Sequence, residues 1–232
     1  MRPSEEYVLN TLITKFGGQY TEGEDPPDGY ITIGDKRIAV EVSMLVEQLR
    51  NENGESYSRM KDDAPANHLA NNIELDIKAI IPHDMHVFLV IDAPVKKIRK
   101  TQAKVAATIS HMIQNNIFKL DQKFLDNDIS ISIFTGWGSY TPKIGYAISN
   151  RYSSANIGEN TESMLRERIQ TKNKKRNVKP DTDEYWLALF NDYWVADEES
   201  YQLAYRNLNI EHNFDKIIII NGHRQANVLH KT

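Results

Sequence analysis

The sequence predicts an α/β chain built on a mixed β-sheet covered by helices on both faces. Three observations lead there. An amphipathic helical segment opens the chain, a β-hairpin follows it, and from about residue 65 helical segments alternate with short apolar β-branched runs. The length of 232 residues fits one large domain spanning 1–232, with room for an insertion around 93–160.

Taken in order, Ser4 is placed to cap a first helix running to about Phe16, with Glu5 and Glu6 near its positive end and Gly17-Gly18 ending it. Val8, Leu9, Leu12, Ile13 and Phe16 form its apolar stripe, and Glu5 falls near the middle of that stripe. A carboxylate there either points inward to a site or bends out to water while serving the helix dipole. Asp28 opens a short strand, Gly34 sits in a turn, and Glu41 lies inside a second strand of Arg37, Ile38, Ala39, Val40 and Val42. The polar run Asn51–Asp63 reads as a surface loop, Pro65–Ile81 as a helix, and His86–Ile91 as a strand buried on both faces.

Further along, Ile98 to about Asn115 reads as a long helix. Ile129–Ile133 alternates as a half-exposed strand and is expected to pair with Ile144–Ser149 across a turn at Gly136-Trp137-Gly138. Thr161–Lys175 reads as a helix, Glu184–Phe190 as a buried strand, Glu198–Leu208 as a helix, and Lys216–Ile220 as a last strand. Trp186 and Trp194 both lie in apolar segments and are expected in the core rather than as base-stacking platforms.

Composition excludes several classes. The chain has no cysteine, so disulfides, thiolate zinc sites and cysteine nucleophiles are ruled out together. None of its seven histidines falls in a zinc-site spacing, and neither phosphate-cradling glycine loops nor a serine-hydrolase elbow occurs. No apolar run approaches the roughly 20 residues that cross a bilayer, and the N-terminus lacks a signal-peptide stretch, so a soluble cytoplasmic protein without a membrane partner is expected. Net charge is −4, yet basic residues cluster twice. Lys96, Lys97, Arg99, Lys100, Lys104 and Lys119 stand without an acid between Ala93 and Leu120. The second cluster holds Arg166, Arg168, Lys172, Lys174, Lys175, Arg176 and Lys179, opposed only by Glu167. Such clusters suit either solvated helix faces or phosphate contacts, and Lys96, Lys97, Lys100 and Lys175 are the candidates for the second role.

The hairpin carries the chemistry. A carboxylate within apolar β-formers is costly to desolvate and wants a cation or strong donors. Two carboxylates, Asp28 at a strand start and Glu41 in the neighbouring strand, make a hard oxygen-rich site suited to Mg²⁺ or Mn²⁺.

Pro27-Asp28 and Glu41-Val42-Ser43 resemble the motif of the PD-(D/E)XK nuclease superfamily, whose fold is the restriction-endonuclease-like mixed sheet. The resemblance implies a metal-dependent endonuclease that hydrolyses phosphodiester bonds of DNA, of the restriction or defence type, with DNA as partner and a homodimer as an allowed assembly. It implies that Asp28, Glu41 and the Val42 carbonyl hold Mg²⁺ or Mn²⁺, with Glu5 completing the outer shell. Ser43 stands where the family usually has its lysine. By analogy, Lys172 or Lys175, on a helix leading into Tyr185-Trp186-Leu187, brings the missing ammonium. The alternative from another class is a catalytically silent nuclease-fold domain that binds nucleic acid or a protein partner.

Overall fold

The computed structural model describes residues 1–136, 141–175 and 181–231. Trp137 and Gly138 of the expected turn, and Arg176 and Lys179 of the second basic cluster, lie outside the described residues.

The chain opens with α1 (Pro3–Phe16), β1 (Gln19–Glu22), β2 (Gly29–Ile33) and β3 (Lys36–Leu45). It continues through β4 (Gln48–Arg50), β5 (Ser56–Ser58), α2 (Met60–Ile77), β6 (Met85–Ala93), α3 (Ile98–Gln114), β7 (Lys119–Phe124), β8 (Asn127–Thr135) and β9 (Ile144–Asn150). It closes with α4 (Ile157–Lys175), β10 (Glu184–Asn191), α5 (Glu198–Asn207), β11 (Lys216–Ile220) and β12 (Ala226–Lys231). Two compact units result: residues 1–48 with 154–232 form one, and the intervening 49–153 form the other. The second unit is larger than the insertion expected around 93–160 and starts much earlier.

The first unit is a six-stranded mixed sheet in the order β1-β2-β3-β10-β11-β12. Its centre, β3-β10-β11, is parallel, and antiparallel strands flank it on both sides. The central strands are apolar without alternation because both faces are covered. Ile38, Val40, Val42 and Trp186 meet Val8, Leu9 and Leu12 of α1 on one face. Tyr30, Ala39, Leu45 and Leu187 meet Leu165 and Ile169 of α4 and Tyr201 of α5 on the other. Each fully buried aliphatic side chain here contributes about 1.5–3 kcal/mol relative to exposure. Gly34 opens the two-residue β2–β3 turn at φ +59°, the left-handed backbone that tight hairpins require. At Gly29 a Cβ would sit 2.7 Å from Leu9 Cδ1, so the missing side chain lets α1 lie against the start of β2.

Within this unit α1 departs from expectation at its start. Pro3 is the first helical residue and Arg2 the cap, while Ser4 lies inside the helix. Glu5 Oε2 accepts the Arg2 backbone N–H at 2.7 Å, taking up a donor that the expected serine cap would have left to water. β1 and β12 were not expected; both are flanking strands, and β1 is mostly exposed.

The second unit holds a four-stranded sheet, β7-β8-β6-β9, and the short β4-β5 ribbon. Leu69 and Ile73 of α2 and Val105 and Ile109 of α3 pack with Val87, Leu89, Ile91 and Ile131 in one core. Four expectations need correction here. β6 is covered on one face only, since Phe88 and Val90 are exposed between buried neighbours. β8 pairs with β6 and β7, whereas β9 lies parallel to β6 and does not pair with β8. The unforeseen partner, β7, is an edge strand of Lys119-Leu120-Asp121-Gln122-Lys123-Phe124, too polar to show a strand pattern. The run Asn51–Asp63 is not one loop, because it contains β5 and the first turn of α2, which starts at Met60 and carries Pro65 inside it. Asp62, buried in that turn, accepts from the Tyr57 hydroxyl at 2.8 Å and Asn150 Nδ2 at 3.2 Å, which fixes the early start.

Candidate active site

Pairing of β2 with β3 runs from Ile33↔Lys36 to Gly29↔Val40. One step beyond the last pair, Asp28 and Glu41 stand opposite one another, and opposed residues of an antiparallel pair share a face. Past this point β2 no longer covers β3. The Val42 N–H, which a longer β2 would have satisfied, instead donates to Asp28 Oδ2 at 2.7 Å. Asp28 is 6% exposed and Glu41 4%.

Ala39 and Leu45 of β3 point to the face covered by α4, so Glu41 and Ser43, at the same parity, point there too. On α4 the buried stripe runs through Leu165 and Ile169, and the half-buried Lys172 follows on the same side, at i, i+4 and i+7. The stripe that seats the helix on the sheet therefore ends in an ammonium, and Lys172 Nζ hydrogen-bonds Glu41 Oε1. The other oxygen, Glu41 Oε2, is buried with no hydrogen-bond partner. Lys175, one turn further, is exposed; of the two lysines that analogy offered, Lys172 reaches Glu41.

Glu5 is 6% exposed and does not bend out to water. Arg2 Nε donates to Glu5 Oε1 at 2.5 Å, and Arg2 Nη2 stands 3.7 Å from Asp28 Oδ1. Burial pushes the Glu5 carboxyl up, but the Arg2 backbone N–H and guanidinium outweigh it and hold Glu5 below the usual carboxylate range. Asp28 goes the other way, to about 6. Burial raises it most, the Val42 N–H opposes this, Glu41 raises it further, Lys172 lowers it, and Glu5 raises it. Glu41, Lys172 and Glu5 thus all act electrostatically on Asp28. Among the described residues no group of three or more His, Asp or Glu side chains could hold a metal ion. What the fold does bring together is the Asp28 and Glu41 carboxylates, with one buried oxygen, Glu41 Oε2, that has no hydrogen-bond partner.

Sequence reasoning overlooked Arg2; its only signal is the Arg2/Glu5 spacing at the helix start. It also misplaced Trp194, which is 88% exposed, while Trp186 is buried as expected. Lys96, Lys97 and Lys100 are exposed at the start of α3 in the second unit. Asn127, fully buried, anchors that start: its Oδ1 accepts the Lys96 N–H at 2.7 Å, and its Nδ2 donates to the Lys96 carbonyl at 2.9 Å. Lys97 also pairs with Asp126 at 3.3 Å, leaving Lys96 and Lys100 as the freer charges.

Comparison of the chain with protein-family models, with characterised proteins and with solved structures gives no match. Among the described residues, no helix is long and apolar enough to cross a membrane.

Proposed function

We propose that the chain is a metal-dependent endonuclease of the PD-(D/E)XK type that hydrolyses phosphodiester bonds of DNA. One observation carries the reading: Lys172, on a helix far away in sequence, brings its ammonium to Glu41 directly beside Asp28. In this reading Lys172 stands in for the lysine that Ser43 does not supply. The restriction-endonuclease-like identity of the fold belongs to the same reading, supported by the helix, the hairpin and the parallel strands that follow on α4.

The donor chemistry fits a hard divalent cation. Asp28 and Glu41 would hold Mg²⁺ or Mn²⁺ with the Val42 carbonyl, and the partnerless Glu41 Oε2 and the raised Asp28 carboxyl both mark a site short of positive charge. Bound there, such an ion supplies an acidified water and offsets charge on the phosphate. The chain's own groups do the rest. Lys172 is a donor from the buried side, placed to orient the attacking water or hold its proton. Glu5, fixed by Arg2, keeps negative charge at the back of Asp28. Ser43, on the same face as Glu41, is spectator to this chemistry.

Nicking of supercoiled plasmid under Mg²⁺, Mn²⁺ or EDTA tests the reading. Metal-dependent nicking by the wild-type chain is expected. Failure with both metals, on plasmid and on single strands, would leave a silent nuclease-fold domain.

A further inference from the structure

The loop that leaves β10 presents an indole to solvent, and it is not a loose loop. Asn191 Nδ2 donates to the Ala196 carbonyl at 2.9 Å, and Asn191 Oδ1 accepts the Tyr193 N–H at 2.9 Å and the Tyr201 hydroxyl at 2.8 Å. Tyr193 and Ala196 turn into the core, and Asp197 then caps α5 by accepting the Ser200 N–H at 2.9 Å. Between these anchors Trp194 stands 88% exposed. So large an apolar ring gains nothing from folding in this position and stays available for contact with a ligand.

Trp194 forms one wall of a crevice of about 580 Å³ beyond the carboxyl ends of the parallel strands β10 and β11. Loops gather at that end of the sheet, and the volume suits a small planar group. Asp192, His223 and Asn227 line it with side chains that make no hydrogen bond among the described residues. An exposed π-face beside unspent donors and acceptors is what a nucleobase requires: stacking on one side, its edge satisfied on the other.

We infer that this crevice receives an unpaired nucleobase of the nucleic-acid substrate, stacked on Trp194 with its polar edge toward Asp192 and Asn227. The inference rests on the proposed nucleic-acid function and extends it to a second contact on the same sheet. The Asp192 N–H donates to the Leu45 carbonyl at 3.1 Å, and Leu45 lies four residues beyond Glu41 on β3. At about 3.3 Å per residue this is on the order of 13 Å along the strand, within reach of a few nucleotides of one substrate strand. The site therefore favours single-stranded or splayed nucleic acid over fully paired duplex.

The test uses the full chain in EDTA, where cleavage plays no part. Fluorescence anisotropy follows a labelled oligothymidylate and a labelled blunt-ended duplex, with the wild type, Trp194→Ala and Trp194→Phe. Trp194→Ala should weaken single-strand binding roughly 5- to 150-fold, the range that loss of one base–aromatic stack produces. Trp194→Phe should stay near wild type, and duplex binding should not change. Equal single-strand affinity for wild type and Trp194→Ala, or an equal loss on the duplex, would overturn the inference. Thymidine monophosphate that competes as well as the strand would replace the substrate base with a free nucleotide and overturn it too. Plasmid nicking run alongside keeps the two claims apart. Trp194-dependent binding without nicking removes the carboxylate reading alone, and nicking with Trp194-independent binding removes the base site alone.

Discussion

Lys172 and Glu41, 131 residues apart in the sequence, meet through a hydrogen bond between Nζ and Oε1 on the buried face of β3. The pair does two jobs. It satisfies one oxygen of a carboxylate enclosed by the sheet and α4, and it places a cation where the proposed cleavage at Asp28 and Glu41 would need one.

The pair's functional weight can be measured by Lys172→Ala. Plasmid nicking under Mg²⁺ should fall roughly 10²–10⁴-fold, the usual cost of a positioned acid–base group, with Mn²⁺ affinity nearly unchanged. Loss of metal affinity in step with rate would make Lys172 a structural partner of Glu41 only.

Asp28→Asn should stabilise the metal-free chain. A carboxyl raised to about 6 contributes stability that is full below its ordinary value of 3.8 and lost as pH rises through about 6. At neutral pH the ionised group is therefore a burden, whereas asparagine keeps an oxygen for the Val42 N–H without the charge facing Glu41. Urea unfolding at pH 7 in EDTA should show a gain of about 1–3 kcal/mol. A less stable variant would contradict this account of the site.

Glu184 predicts the opposite pH behaviour. Burial raises its carboxyl, but hydrogen bonds from Lys216, Lys36 and Trp186 prevail and bring it down to about 2. Its stabilisation is present above the ordinary value of 4.5 and lost as pH falls through about 2. Glu184→Gln should cost about 1–2 kcal/mol at neutral pH, with the difference from wild type shrinking toward pH 2. A pH-independent difference would assign the loss to packing.

If the start of α3 meets the phosphate backbone, replacing Lys96, Lys97 and Lys100 by Ala should flatten the salt dependence of DNA binding. The change expected is about 0.9 log unit per lost duplex contact. Because Lys97 is paired with Asp126, most of it should come from Lys96 and Lys100. An unchanged slope would make these lysines solvated surface.

How much of this was legible depended on how local each signal was. The β2–β3 hairpin could be read because its turn is two residues long and its register carries Asp28 to Glu41. α3 and β11 were placed nearly to their ends by strong periodicity and by an unbroken isoleucine run. β8 and β9 follow one another in sequence, which suggested a hairpin, but each pairs with the earlier β6, and no local pattern announces a parallel partner. Trp194 reads as core because it lies in an apolar segment, and its neighbours Tyr193 and Ala196 do go there; the turn that everts the indole between them is set by Asn191, not by hydrophobicity. Lys172 entered only by analogy, since nothing within α4 reveals what lies beneath its last buried turn.

Titration of the purified chain with Mn²⁺, read by electron paramagnetic resonance of the free ion, asks whether Asp28 and Glu41 hold a divalent cation. One bound Mn²⁺ per wild-type chain is expected, displaced by Mg²⁺, and none in Glu41→Ala or Asp28→Ala. Wild-type protein that leaves Mn²⁺ free, or a Glu41→Ala variant that binds it as well as wild type, would contradict a metal site built on Asp28 and Glu41.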